Sequence, residues 1–150
     1  MICRLLLFIA TCLLLSSPSF AALGGDDSSI QRDSRATGTQ RTVTQHGKYS
    51  VHEIAPKKYK LHQFMDPNGK VFALSWTGRT HPDLSTLLGV HFQKVQDAIK
   101  AARQNRHGRA PLVIDVDNIH LEMSGTSMSM QGRVWLADQV PSGVSTDELR

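Results

Sequence analysis

The sequence predicts an α+β domain: an antiparallel sheet of about six strands, with a single amphipathic helix packed on it. A three-strand meander precedes the helix and another follows it. Three observations carry this reading. Apolar residues alternate through Tyr49–Thr77, recur at helical spacing from Leu84 to Ala102, and return to alternation in Leu112–Leu136. A helix with one apolar stripe and a sheet with one apolar face bury each other as two layers.

The first segment, residues 1–21, has the form of a secretory signal. Arg4 supplies the positive charge, and Leu5–Leu15 forms an apolar run interrupted by Thr11 and Cys12. The run is too short to span a bilayer, which takes about 20 apolar residues. Ser16, Ser17 and Pro18 end it, and Ser19-Phe20-Ala21 places small residues where a signal peptidase reads, so cleavage is expected between Ala21 and Ala22. The only cysteines, Cys3 and Cys12, lie in this leader. The mature chain is therefore expected to have no disulfides, thiol nucleophile or thiolate metal site, and no transmembrane segment.

Losing Arg4 lowers the net charge from +4 to +3. The densest basic cluster, Arg103, Arg106, His107 and Arg109, falls where the helix is expected to end, a place the helix dipole favours for cations. No basic face with interleaved aromatics is evident, and nucleic acid is not an expected partner.

Residues 22–47 read as a flexible polar arm. Between Asp26 and Gly47 the only aliphatic residues are Ile30, Ala36 and Val43, too little apolar surface to offset ordering; a short helical turn fits around Ser29–Ser34. Residues 48–150 then form the domain with a short C-terminal tail. Tyr49–Ile54 and Tyr59–Met65 are strands joined at Pro56-Lys57-Lys58, and Asp66-Pro67-Asn68-Gly69 is the clearest turn. The next strand, Lys70–Thr77, directs Phe72, Leu74 and Trp76 to one core face.

The helix spans residues 83–104, with Leu84, Leu87, Leu88, Phe92, Val95, Ile99 and Ala102 on its stripe. Thr80 is its expected cap, with Asp83 in the first turn. Gly89 marks a kink or a close contact with the sheet. Leu112–Val116 and Ile119–Met123 form a hairpin about Asp117-Asn118 that pairs Val116 with Ile119, Ile114 with Leu121, Leu112 with Met123, and Asp115 with His120. Met128–Leu136 follows the turn at Gly125-Thr126.

Several motifs run through the chain in order: Ala22-Leu23-Gly24-Gly25, Tyr49-Ser-Val-His-Glu53, Phe72-Ala-Leu-Ser-Trp76, Pro82-Asp83-Leu84 with Leu87-Leu88-Gly89, and Val134-Trp135-Leu136 with Pro141-Ser-Gly-Val-Ser145. Together they resemble an exported bacterial family catalogued as domain of unknown function 2844. The resemblance covers nearly the whole mature chain and implies bacterial export and a single domain. It implies no reaction, cofactor or catalytic residue.

The chemical signals are separate and local. Ser75 lacks the flanking glycines of a nucleophile elbow, Gly78 standing one position too late, and it faces away from Phe72, Leu74 and Trp76. Among the 7 histidines no His-Glu-x-x-His occurs. A three-residue loop would set His52 against His62, and a two-residue loop would set them beside Gln63 and Glu53; neither arrangement supplies a third ligand. Met123, Met128 and Met130 near His120 are a candidate copper set, since thioethers are soft ligands. The expected register pairs Met123 with Met128 and Leu121 with Met130 on the apolar face, where methionine is more often a flexible core filler.

Arg79, Thr80 and His81 form the candidate anion site, where free N–H groups at the helix start favour negative charge. The leading expectation is a non-enzymatic exported binding or accessory domain, without cofactor, for an envelope or secreted partner or a small ligand. The alternatives are an exported hydrolase or other enzyme assembled only in space, for example from Asp115 and His120, and periplasmic copper binding through His and Met.

Overall fold

The computed structural model describes residues 22–104 and 110–150. The expected signal and Arg106, His107 and Arg109 lie outside the described residues. No helix among the described residues is long and apolar enough to cross a membrane.

Seven strands form one antiparallel sheet: β1 (Arg41–Gln45), β2 (Ser50–Ile54), β3 (Tyr59–Met65), β4 (Val71–Gly78), β5 (Leu112–Val116), β6 (Ile119–Gly125) and β7 (Met130–Leu136). Their order across the sheet is β1-β2-β3-β4-β7-β6-β5. The α+β class is as expected, with β1 as an additional strand. Helices α1 (Asp27–Thr37), α2 (Leu84–Leu88) and α3 (Phe92–Gln104) cover the first face. There Ile30, Leu87, Leu88, Val95 and Ile99 pack against Ile54, Leu61, Leu74, Trp76, Leu121 and Val134.

The second face carries its own apolar cluster. Tyr49, Phe64, Phe72, Ala73 and Trp135 are closed over by Leu149, with Val140 and Val144 alongside. Phe72 was expected to share a face with Leu74 and Trp76, and a bulge corrects this. Phe64 pairs with Ala73 but Met65 pairs with Val71, leaving Phe72 as the extra residue. One inserted residue shifts the two-residue alternation by a step, which sends Phe72 to the second face.

The helix of residues 83–104 is divided at Gly89, whose φ of 50° and ψ of −119° fit glycine and strain other residues. A 3-10 turn over Gly89–His91 leads into α3. The kink is thus the arrangement adopted. Asp83, not Thr80, caps the helix: its carboxylate accepts from Ser85 N–H at 2.9 Å, Ser85 Oγ at 2.6 Å and Thr86 Oγ1 at 2.9 Å. A charged acceptor offset by two residues from the first free N–H groups outcompetes the more distant threonine.

Residues 22–47, expected as an arm outside the domain, hold α1 and β1 and join the core. Asp26 caps α1, Gly38 ends it at φ 63°, and Ile30 is wholly buried. Leu23 N–H donates to Leu87 O at 3.0 Å, and Gly24 N–H to Val71 O at 2.7 Å. β1 pairs along its length with β2, from Arg41 against Ile54 to Gln45 against Ser50. Composition undervalues this segment because backbone ladders and three apolar anchors (Ala22, Leu23 and Ile30) supply the ordering energy.

The β5–β6 hairpin has the predicted register at all of its quoted pairs. β6–β7 does not. Thr126 N–H bonds Ser129 O at 2.8 Å across a longer loop, so Met123 faces Gly132 and Leu121 faces Val134.

Leu88 is 0% exposed and Val90 is 88% exposed. Replacing Leu88 with alanine is expected to cost about 2–5 kcal/mol, out of the roughly 5–15 kcal/mol typical of a domain. Val90→Ala should melt like the parent. Equal chemical-denaturation midpoints for all three proteins would remove α2 from the core.

Candidate functional site

The second face becomes polar where the tail cluster ends. Antiparallel register lines up Glu53 of β2, His62 of β3, Ser75 of β4, Arg133 of β7 and Glu122 of β6 in one cross-strand row. Two residues along, Thr77, Gln131 and Ser124 form a second row, on the same face because side chains alternate. Directly opposed side chains stand about 4.5–5.5 Å apart at Cβ. These six residues of β4, β7 and β6 floor a cavity of about 290 Å³, with Leu149 and Arg150 along one wall.

Ser75 is the unusual member. It is 4% exposed, and its Oγ has no hydrogen-bond partner. An unsatisfied buried hydroxyl costs about 1–3 kcal/mol and asks for a ligand or water.

The neighbouring charges are tied to one another. Arg133 Nε donates to Glu122 Oε2 at 2.7 Å and Nη1 to Thr146 O at 2.7 Å, with the guanidinium 5.2 Å above the Trp135 ring. His120 Nε2 lies 3.1 Å from Glu122 Oε1, and its Nδ1 contacts Asp115. The Arg133 hydrogen bond, followed by that of His120, holds the Glu122 carboxyl below its ordinary value. Glu53 is likewise held low, first by His62 at 2.9 Å and then by Lys60. His62 Nδ1 lies 3.0 Å from Arg150 O. The Glu53 carboxylate and the main-chain oxygen of Arg150 only accept, so the ring donates to both when both nitrogens carry protons.

His62 stands opposite Ser75, yet its nitrogens face Glu53 and Arg150, and no base among the described residues contacts the Ser75 hydroxyl. Nucleophilic activation requires such a base within hydrogen-bond reach.

The residues of the expected anion site are placed elsewhere. Arg79, Thr80 and His81 are exposed in the β4–α2 loop. The donors at the start of α2 already serve the Asp83 carboxylate. His81 lines a separate hollow with Arg103 and Met123, which Arg79 and Thr80 do not reach.

The His52–His62 pair does not form: His52 faces Gln63 on the first face, and His62 faces Glu53 on the second. The copper set is also divided. Met123 packs against the first-face core, His120 lies against Trp135 on the second, and Met128 is 82% exposed at the hairpin tip. Asp115 and His120 do meet, but the Asp115 side chain is 74% exposed, and neither residue lines the cavity beside Ser75.

A further polar group is sealed beneath α1. Gln63 Nε2 donates to Asp33 Oδ2 at 2.8 Å, while Gln63 Oε1 and His52 Nδ1 have no partner. Burial raises the Asp33 pKa and lowers that of His52.

Sequence reading missed Glu122, Ser124, Gln131 and Arg133. Alternation in β6 and β7 does assign each pair to one face. Their meeting with Ser75 depends on β4 pairing with β7, across the intervening helices and hairpin.

A family model described as "Protein of unknown function (DUF2844)" matches residues 19–149. No curated protein and no solved structure matches the chain.

Because the Glu122 pKa is lowered from 4.5 in the folded protein, its contribution to stability is present above that value and lost as pH falls through the folded value. Glu122→Gln should therefore lower the melting temperature at neutral pH, by the equivalent of about 1 kcal/mol or less for a pair this accessible. The difference from the parent should close in acid. A gap that widens as pH falls would contradict the Arg133–Glu122 assignment.

Proposed function

The chain belongs to that family of proteins of unknown function, and we propose that it is a non-enzymatic exported binding domain that holds a small polar ligand over Ser75. One observation carries the reading: Ser75, whose buried hydroxyl has no partner, belongs to the lining of a cavity that Arg133 and Gln131 also line. A small cavity with a few convergent polar groups is the usual form of a ligand site. The absence of a base at Ser75 among the described residues and the exposed position of Asp115 favour binding over hydrolysis. Export rests on the leader, with Arg4, the Leu5–Leu15 run and the Ala21–Ala22 junction.

Ser75→Ala separates a binding role from a structural one. Removing an unpartnered buried hydroxyl should leave the melting temperature unchanged or raise it. Binding of a small polar probe, scored by amide chemical shifts against a panel of sugars, amino acids and dicarboxylates, should weaken. A variant that binds every active probe as the parent does would refute the site. For export, N-terminal sequencing of protein recovered outside the cytoplasm should begin at Ala22. Retention of Met1 there would refute the leader assignment.

A further inference from the structure

We propose that the ligand of the Ser75 cavity is neutral and rich in hydroxyl groups, a single sugar ring or a polyol of that size. This rests on the binding reading above and specifies its chemistry.

The first argument is charge. The cavity floor contains one cation and one anion, Arg133 and Glu122, and they bond each other at 2.7 Å. Glu122 gives its other oxygen to His120, and Arg133 gives Nη1 to Thr146 O. An anionic ligand would have to sit beside Glu122, and a cationic one beside Arg133. Either would compete with the Arg133–Glu122 pair for the hydrogen bonds it already makes. Arg150 stands exposed on the wall, where solvent and salt screen it.

The second argument is hydrogen-bond type. The remaining floor groups are the hydroxyls of Ser75, Thr77 and Ser124 and the amide of Gln131. Gln131 Nε2 already donates to Ser124 Oγ at 3.0 Å, and Ser75 Oγ has no partner. Each of these groups both donates and accepts. A carboxylate only accepts and an ammonium only donates, so each would use half of what the floor offers. A hydroxyl uses both halves.

The third argument is size and spacing. The rows place polar groups about 4.5–5.5 Å apart across the strands and about 6.6–6.8 Å apart along them. Hydroxyls on opposite sides of one sugar ring span a comparable distance. A volume of about 290 Å³ lies just below the usual range of small-molecule sites, which begins at about 300 Å³. One ring fits, either free or as the end of a longer glycan.

The test is an amide-shift titration of the purified protein with glucose, galactose and myo-inositol, and with glucuronate and glucosamine as charged counterparts. At least one neutral probe should move the amides of Ser75, Thr77, Gln131 and Arg133, with a dissociation constant on the order of 1 mM, as expected for so few atoms. Ser75→Ala and Gln131→Ala, each melting like the parent, should weaken it about tenfold. If glucuronate or glucosamine moves these amides and the neutral probes do not, the neutral assignment is overturned while the cavity remains a binding site. If no sugar moves them but an amino acid or dicarboxylate does, the ligand class is overturned and the binding reading stands. If no probe of either panel moves them, both fall.

Discussion

Strand β4 is buried on both faces, and the rest of the molecule follows from covering it. Every residue from Val71 to Trp76 is shielded from solvent. A strand in that position needs a neighbour on each edge and a layer on each side. β3 and β7 supply the edges, α1–α3 the first layer, and the segment ending in Leu149 the second. Trp76 fits only because β7 presents Gly132 opposite it. A Cβ at Gly132 would lie 2.3 Å from Trp76 Cζ2, so the indole occupies the volume that any other residue would claim.

The same constraint explains the cavity. Ser75 is the one polar side chain of the buried run, directed at the second face between Arg133 and His62. The apolar cover of that face, Leu149 over Phe64, Phe72 and Ala73, stops beside it. The sheet therefore passes from an aromatic cluster to a polar floor within one or two rows. The paired charges of Arg133 and Glu122 stand on the polar side, where Thr146 O and His120 complete their bonding.

What the sequence made legible was local. The β5–β6 register follows from the two-residue turn at Asp117-Asn118, and Gly89 announced the break between α2 and α3. Ser75 could be placed opposite Leu74 and Trp76 by alternation alone. Features set by distant partners were hidden. Phe72 changes face because β3 and β4 bulge at Phe64 and Met65, which no alternation pattern records. Residues 22–47 looked too polar to order, since their stability comes from Leu23 and Gly24 bonding to Leu87 and Val71, Ile30 of α1 in the core, and β1 pairing with β2. Arg133 and Gln131 reach the site only through the β4–β7 pairing.

That pairing also sets the order in which the molecule can be assembled. β1–β4 are joined by short turns, as are β5–β7, whereas Ala73–Gly78 meets Trp135–Met130 only after α2, α3 and two further strands have been made. Local hairpins close quickly, and pairings between distant segments are slow because loop-closure entropy comes first. Until β7 docks, β4 has an open edge of alternating apolar residues, the kind of template on which chains aggregate. The cavity floor is divided between the two halves of the seam, so it is complete only once the seam has closed.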